Sequence, residues 1–354
     1  MNSIKKLFTE IATNQQLSRA SSLFNSLPNP DKIFNSTGRL YSNYRNLLND
    51  PHLWSCIQSR KSGVLALNFE VKQGKASQNA LSIIQTAFEQ IDFNQLIRDV
   101  LEATLFGFQA LEIMWNNFNF GRNFILPEKI IPKPHEWFEF DRTGSLFFKQ
   151  FGQSKKIDLP EYKFLIVQYE PTYLNPYGQS LLGKCYWPVT FKNNGLKFWT
   201  NFTEKYGMPI LFAKYERGGS LDDAKELANN LSLMVDNNVI VASSEISLEM
   251  QEAIRNTASD LFHDLLRFCN SEISKVILSQ TLTTELDSGS YAASLTHFKV
   301  RREIIIADVR LVESAVNKLI KYIIDLNLAE YSYPVFRFKL GESKQVVELA
   351  ETGC

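Results

Sequence analysis

Between residues 41 and 115 the apolar positions fall mostly at helical spacing. Leu47, Leu48, Leu53, Trp54 and Ile57 follow one face, and Asn49-Asp50-Pro51 supplies a start signal, with Asp50 as the cap and Pro51 in the first turn. Leu67-Asn-Phe-Glu-Val71 alternates and predicts a strand. Two amphipathic helices follow, one burying Ala80, Ile83, Ile84, Ala87 and Phe88, the next Leu96, Ile97, Val100, Leu101, Thr104 and Leu105. Gly107 precedes Phe108–Trp115, whose pattern fits either a strand or a helix. Residues 120–170 change to short alternating runs between Pro and Gly (Phe138–Phe140, Leu146–Phe148, Phe164–Val167), a small β region.

A break at Pro171–Gly178 leads into a helix with Phe191, Phe198, Trp199, Phe202 and Tyr206 on one face, stopped by Gly207 and Pro209. Residues 208–252 then read as a compact insertion. It comprises a strand at Ile210–Ala213, a loop at Arg217-Gly-Gly219, a helix from about Leu221 to Met234, a strand at Val239–Ala242 and another through Ile246, Leu248 and Met250. Two long helical blocks finish the pattern, one through Leu261, Phe262, Leu265, Leu266, Cys269, Ile273 and Val276, the other from Ile304 to Ile324. The Ser/Thr/Gly-rich stretch Ser279–Ser290 between them predicts an exposed, mobile loop, and Tyr333–Phe338 a last strand. With a polar arm or linker over the first thirty-odd residues and no fixed-period repeat, the chain is expected to be α+β.

Composition narrows the function classes. At 354 residues the chain exceeds what one core usually supports, so two or three packed units are expected. The 26 Phe and 13 Tyr suggest large apolar contacts, some of them between subunits. Lys plus Arg and Asp plus Glu are equal at 38 each, which disfavours a protein that grips nucleic acid through many phosphates but permits loose contact with it. Cys56, Cys185, Cys269 and Cys354 are scattered without a CxxC and read as reduced thiols. No signal peptide or membrane-length apolar run is evident, so a cytoplasmic start and no membrane partner are expected.

Catalytic chemistry is not visible. The histidines His52, His135, His263 and His297 lie apart, and no HExxH, zinc spacing, GxSxG, Walker or dinucleotide motif occurs, so neither a metal nor a cofactor is expected. His135-Glu136 with Asp141 is better read as a solvated strand edge than as a carboxylate–His site, and Arg217-Gly-Gly219 as a surface loop rather than an anion cradle. Trp187, Phe198, Trp199 and Phe202 resemble a stacking platform for single-stranded nucleic acid, yet their helical spacing favours core or subunit interface. Lys299, Arg301 and Arg302 are read as a basic cluster opening a helix, either solvated or facing DNA or a partner. The segment Lys184–Arg217 is basic and the following Gly218–Asp264 acidic, which suggests a partner-docking tip or a wall that repels phosphates.

Asn175-Pro-Tyr-Gly-Gln-Ser-Leu-Leu-Gly-Lys-Cys-Tyr-Trp-Pro188, Phe191-Lys-Asn-Asn-Gly-Leu-Lys-Phe-Trp199 and Glu204-Lys-Tyr-Gly-Met-Pro209 closely resemble the central signature of Mu-like phage portal proteins. Asp50-Pro51 with Arg60-Lys61, Gly107–Trp115, and Ser279–Thr284 through Gly289–Ala293 to Val300-Arg-Arg302 also match, in order, from about residue 40 to 330. The resemblance implies a portal fold: a mixed α/β wing with the N-terminal arm (1–175), a first stem helix (176–207), a small α/β clip (208–254), a second stem helix (255–278), a tunnel loop (279–297) and a long helix returning to the wing with a truncated crown (298–354).

The same resemblance implies a non-enzymatic ring, a dodecamer in the family, at the capsid vertex of a virion assembled in the bacterial host cytoplasm. Double-stranded DNA would pass through it without sequence specificity. A packaging ATPase (the terminase large subunit), capsid or scaffold proteins and head-tail adaptors would be its partners. Thr281, Thr283, Thr284, Ser288 and Ser290 are then expected on the tunnel loop. Lys192, Lys197, Lys205, Lys299, Arg301 and Arg302 are expected at DNA or subunit contacts, and Asp222, Asp223, Glu226, Glu245 and Glu249 at the clip's docking face. Relatives continue past the last helix, whereas this chain stops at Glu351–Cys354, so the crown is expected to be short, absent or separately encoded. The competing expectations are another virion adaptor or scaffold component and a carboxylate-dependent hydrolase.

Overall fold

The computed structural model describes residues 40–119, 122–141, 144–149, 156–206, 211–215, 222, 225–226, 229, 239–243, 255–281 and 291–340. Helices and small sheets are mixed, as the α+β reading expects. The chain divides into two compact units, residues 1–186 with 273–354, and residues 187–272.

The larger unit starts with α1 (Leu40–Leu47) and α2 (Pro51–Leu65). Asp50 caps α2, its Oδ1 accepting from Leu53 N at 2.9 Å, and Pro51 occupies the first turn, where a missing N–H costs nothing. After β1 (Phe69–Lys72), Ser77 caps α3 (Gln78–Glu89) and Asp92 caps α4 (Phe93–Phe106), each through the N–H three residues on. Gly107, at φ 96°, ends α4 and turns the chain into β2 (Phe108–Asn119). The ambiguous 108–115 run is thus a strand. It lies between β3 (Asn123–Pro132) and β7 (Phe164–Gln168) in an antiparallel sheet, and so buries Phe108, Ala110, Leu111 and Ile113 almost without interruption.

A second sheet is built from β4 (Phe138–Phe140), β5 (Leu146–Lys149) and β6 (Lys156–Asp158). The unit is closed by α7 (Tyr291–Asn327) and β10 (Val335–Phe338), the latter pairing antiparallel with β1 from Phe69↔Phe338 to Lys72↔Val335. Helix α7 lays Val309, Val312, Val316, Leu319, Ile320, Ile323 and Ile324 into one core with Ile84, Leu101, Leu111 and Leu165. It begins at Tyr291, ahead of the boundary expected at 298. After Gly289 no breaker interrupts Tyr291-Ala-Ala-Ser-Leu295, so the helix propagates back through it. Lys299, Arg301 and Arg302 therefore lie inside the helix and do not open it.

The smaller unit holds most of α5 (Leu181–Tyr206), then β8 (Leu211–Tyr215), β9 (Val239–Ser243) and most of α6 (Arg255–Leu278). Strands β8 and β9 are parallel, from Leu211↔Val239 to Tyr215↔Ser243. A parallel pair needs a crossover, and residues 222, 225, 226 and 229 between them are helical, as the strand-helix-strand pattern predicts. The expected strand at 246–250 and the loop at 217–219 lie outside the described residues. Helices α5 and α6 run antiparallel here: a Cβ on Gly195 would stand 3.0 Å from Leu265, and Phe202 faces Phe262 at 6.0 Å between ring centroids.

Candidate functional site

The start of α5 and the end of α6 belong to the larger unit, and each is held within it by a polar stitch. At the start of α5, Gly178 (φ 77°) passes so close to Gly107 that a Cβ on it would stand 2.3 Å from the Gly107 carbonyl and 2.4 Å from that of Tyr169. Only glycine fits there, on conformational and on steric grounds. The backbone around it is sewn together: Tyr169 N donates to Gly107 O (2.7 Å) and Gln179 N to Tyr169 O (2.8 Å). Side chains complete the stitch. Asn175 Nδ2 donates to Gly178 O, Gln168 Nε2 to Pro176 O, and Ser180 Oγ to Leu105 O while accepting from Gly183 N in the first turn of α5. Tyr177 packs on Phe140 and Phe108, and its hydroxyl, pushed up to about 12 by burial, accepts from Phe140 N.

At the end of α6, Arg60 of α2 forms a bidentate pair with Asp308 of α7 (2.7 and 2.8 Å) and donates to Ile277 O at 2.9 Å. It thus caps a carbonyl in the last turn of α6, where the helix dipole welcomes a cation. Burial alone would lower the Arg60 pKa, but Asp308 holds it above its ordinary value, so the guanidinium stays charged. Lys61 pairs with Glu102 of α4 beside it. Ser279, at φ 51°, donates to Lys275 O and closes α6.

The expected site residues separate. Thr281 is half-buried just beyond α6, while Thr283, Thr284, Ser288 and Ser290 lie outside the described residues. Lys197, Lys299 and Arg302 are exposed. Arg301 is half-buried and donates to Ser59 O at 3.3 Å, a contact to its own subunit. Lys192, expected at a DNA or subunit contact, is 9% exposed in the single chain. Lys205 lies in the last turn of α5, its side chain undescribed. Asp222 and Glu226 are exposed, with Lys225 3.6 Å from Asp222, whereas Asp223, Glu245 and Glu249 lie outside the described residues.

His135 corrects its expectation. It is not on a solvated edge but in a short 3-10 turn, stacked on Phe106 and Tyr41 at 4.3 and 5.1 Å between centroids. Burial drives its pKa down to about 4. Glu136 instead points to Arg45 in a bidentate pair, and Asp141 Oδ1 accepts from Ser145 N, so the three groups serve different local structures. Among the described residues no cluster of His, Cys, Asp or Glu has the makings of a metal site, and no helix is long and apolar enough to cross a membrane. Cys56, Cys185 and Cys269 are buried thiols outside any disulfide, and burial pushes the Cys185 thiol up to about 12.

The family model described as the portal protein of Mu bacteriophage matches residues 41–353. This chain belongs to the Mu phage portal family. It is 24% identical over 318 residues to the Mu-like prophage FluMu protein gp29 of Haemophilus influenzae, covering 85% of this chain and 60% of that protein. It is also 24% identical over 294 residues to the portal protein of Escherichia phage Mu, covering 77% and 54%. The chain thus spans little more than half the length of these curated relatives.

Two solved structures share the fold. One is a chain in the virion of a native gene transfer agent particle (TM-score 0.63, 9% identity, 97% of this chain and 93% of that one). The other lies in the neck of an empty gene transfer agent particle computed with C6 symmetry (TM-score 0.59, 12% identity, 90% and 93%). Within the portal family, the Asn175–Ser180 signature now has a physical reading: it is the stitch that fixes the root of α5. The Arg60 clamp was the part that sequence reasoning missed. Its one signal was Arg60-Lys61 in a helix with no other Lys, Arg, Asp or Glu.

Proposed function

We propose that this chain is a ring-forming portal subunit of a Mu-like phage or prophage particle, through which double-stranded DNA is packaged and ejected. The observation that carries the reading is the family match over residues 41–353, joined to two long antiparallel helices that flank a small parallel strand pair. Balanced charge suits the task. A channel for a moving polyanion must not hold it, since each phosphate neutralised by Lys or Arg adds affinity, and thereby friction. The Ser/Thr-rich stretch 279–290 carries Glu285 and Asp287 but no Lys or Arg, and so fits a lining loop that does not hold phosphates. The acidic residues Asp222 and Glu226 fit a face that docks the packaging ATPase and later the head-tail adaptors. Energy for translocation would come from that ATPase.

Negative-stain imaging of the purified protein tests the reading. The expected particle is a closed ring, twelve-fold by family resemblance, with a bore that admits duplex DNA. A bore too narrow for duplex, or an open filament, overturns it. Reversing the charge of Asp222 and Glu226 is expected to weaken binding of the packaging ATPase in a pull-down, and unchanged binding removes the docking assignment.

A further inference from the structure

The helix pair of the smaller unit carries large apolar side chains that stay partly exposed. On α5, Trp187, Phe191 and Phe198 recur at spacings of four and seven, which keeps them on one stripe; on α6, Leu261, Leu265 and Phe268 do the same at four and three. Their exposures range from 37% to 66%. At about 100° per residue, the α5 stripe lies roughly 60° to one side of Gly195, the point of contact with α6. The α6 stripe lies to the corresponding side of its own contact line through Phe262 and Cys269. Because the helices are antiparallel, these two offsets bring both stripes to the same side of the pair. The register set by Gly195 against Leu265 puts Phe198 level with Leu261, and Phe191 level with Phe268. Trp187 and Phe191 are stacked at 5.5 Å between centroids, so this end of the patch is already ordered.

We infer that this two-column apolar patch is the surface on which the neighbouring copy of the chain packs in the ring; the inference rests on the ring reading above. Three features favour a second copy. The six side chains expose on the order of 600 Å², above the few hundred that single chains tolerate and most of the ~800 Å² that one side of a stable interface needs. Their composition, aromatic and leucine with charge kept away from the centre, is that of an interface core. Electrostatics also suit a heterologous contact between like subunits. Within the smaller unit the α5 segment is net basic (Lys192, Lys197 and Lys205 against Glu204), and residues 255–272 of α6 are slightly acidic (Asp260, Asp264 and Glu272 against Arg255 and Arg267). These parts of α5 and α6 therefore attract across a contact between copies, and a contact between unlike surfaces closes into a ring when its rotation divides a full turn. In this arrangement the aromatics are sealed between subunits and are not free to stack on bases.

The test uses the full chain and four variants, Phe198→Asp, Phe268→Asp, Trp187→Phe and, as a control on the larger unit, Leu174→Asp. Leu174 is also exposed. Mass is read by light scattering across concentration, folding by thermal melting, and burial by tryptophan emission. The expected result is an oligomer for wild type and Leu174→Asp, and a folded monomer for Phe198→Asp and Phe268→Asp, with melting within 2 or 3 °C of monomeric wild type (about 1 kcal/mol or less at this size). A blue shift on assembly is expected to shrink in Trp187→Phe. Wild type assembled together with both aspartate variants overturns the patch while leaving the ring reading intact. A wild type that stays monomeric at every concentration overturns the ring reading. Emission quenching by single-stranded DNA, lost in Phe198→Asp while assembly persists, gives the face to nucleic acid and also overturns the patch.

Discussion

The two units handle their polar and apolar groups in opposite ways. In the larger unit even charges are buried with partners: Arg60 and Asp308 meet among α2, α6 and α7, and apolar residues from distant elements share one core. In the smaller unit the described helices bury Val189, Gly195 and Cys269 but leave Trp187, Phe191, Phe198, Leu261 and Phe268 48–66% exposed. The lesson is that the larger unit is built to stand alone and the smaller one to be completed by something outside the chain. Substitutions in the first should therefore read out as stability, and in the second as assembly.

The sharpest way to break that contrast is at Arg60. Arg60→Met leaves Asp308 buried with its partner gone and frees Ile277 O at the end of α6, which is expected to cost about 3–5 kcal/mol in urea unfolding. Adding Asp308→Leu removes the stranded charge and should restore most of the loss. If the single variant loses under 1 kcal/mol, the clamp is not what secures the root. Gly178→Ala comes next. The new methyl group meets two backbone carbonyls in a left-handed conformation, so a loss of about 3 kcal/mol is expected, with melting lowered by several degrees. An unaltered melting temperature would mean that the α5 root can shift, contrary to a self-sufficient larger unit.

Local features were legible from the sequence, and long-range ones were not. Asp50-Pro51, Gly107 and the amphipathic faces of α3 and α4 act within one or two turns, so their spacing declared them. The pairing of β2 with β7 and of β1 with β10 joins residues far apart, and nothing in the local pattern selects those partners. The same holds for Arg60 and Asp308, 248 positions apart. His135 was misread because Pro and charged neighbours surround it in sequence, while its real neighbours, Tyr41 and Phe106, come from two helices. The aromatic stripe of α5 was visible as a stripe, but periodicity cannot say whether a stripe faces its own core or another chain. The portal signature was recognisable as a word before it had a mechanism, and Gly178 against Gly107 supplies one.

Protonation gives a milder test of the larger unit. The folded His135 titrates at about 4 because burial among Phe106, Tyr41 and Phe108 excludes its charge, with Glu136 pulling weakly the other way. Above pH 6.5 the ring is neutral in both states and contributes no pH dependence. As pH falls from 6.5, the unfolded chain takes up a proton that the folded chain refuses, so stability drops until about pH 4 and then levels. At pH 5 the loss is about 2 kcal/mol from this residue. His135→Phe should flatten that part of the stability profile, and an unchanged slope between pH 6.5 and 4 would assign it to other groups.

The smallest effect is expected from the substitution chemically identical to Gly178→Ala, made in the other unit. Gly195→Ala lies inside α5 with ordinary helical backbone, where replacing glycine gains about 0.5–1 kcal/mol of helix propensity. Its new methyl group comes 3.0 Å from the Leu265 Cδ2, the mobile end of a side chain that is partly in solvent, and not from a carbonyl of the backbone. Crowding is thus relieved by a rotation, and the two terms nearly cancel, leaving stability within about 0.5 kcal/mol of wild type. Leu265 cannot turn aside without disturbing the patch that it shares with Phe191, Phe198 and Phe268, so the cost reappears between chains. An assembly midpoint shifted several-fold, with thermal melting of the monomer unchanged, is the signature of a unit finished by its neighbour. A variant that instead loses as much stability as Gly178→Ala would make the two units alike.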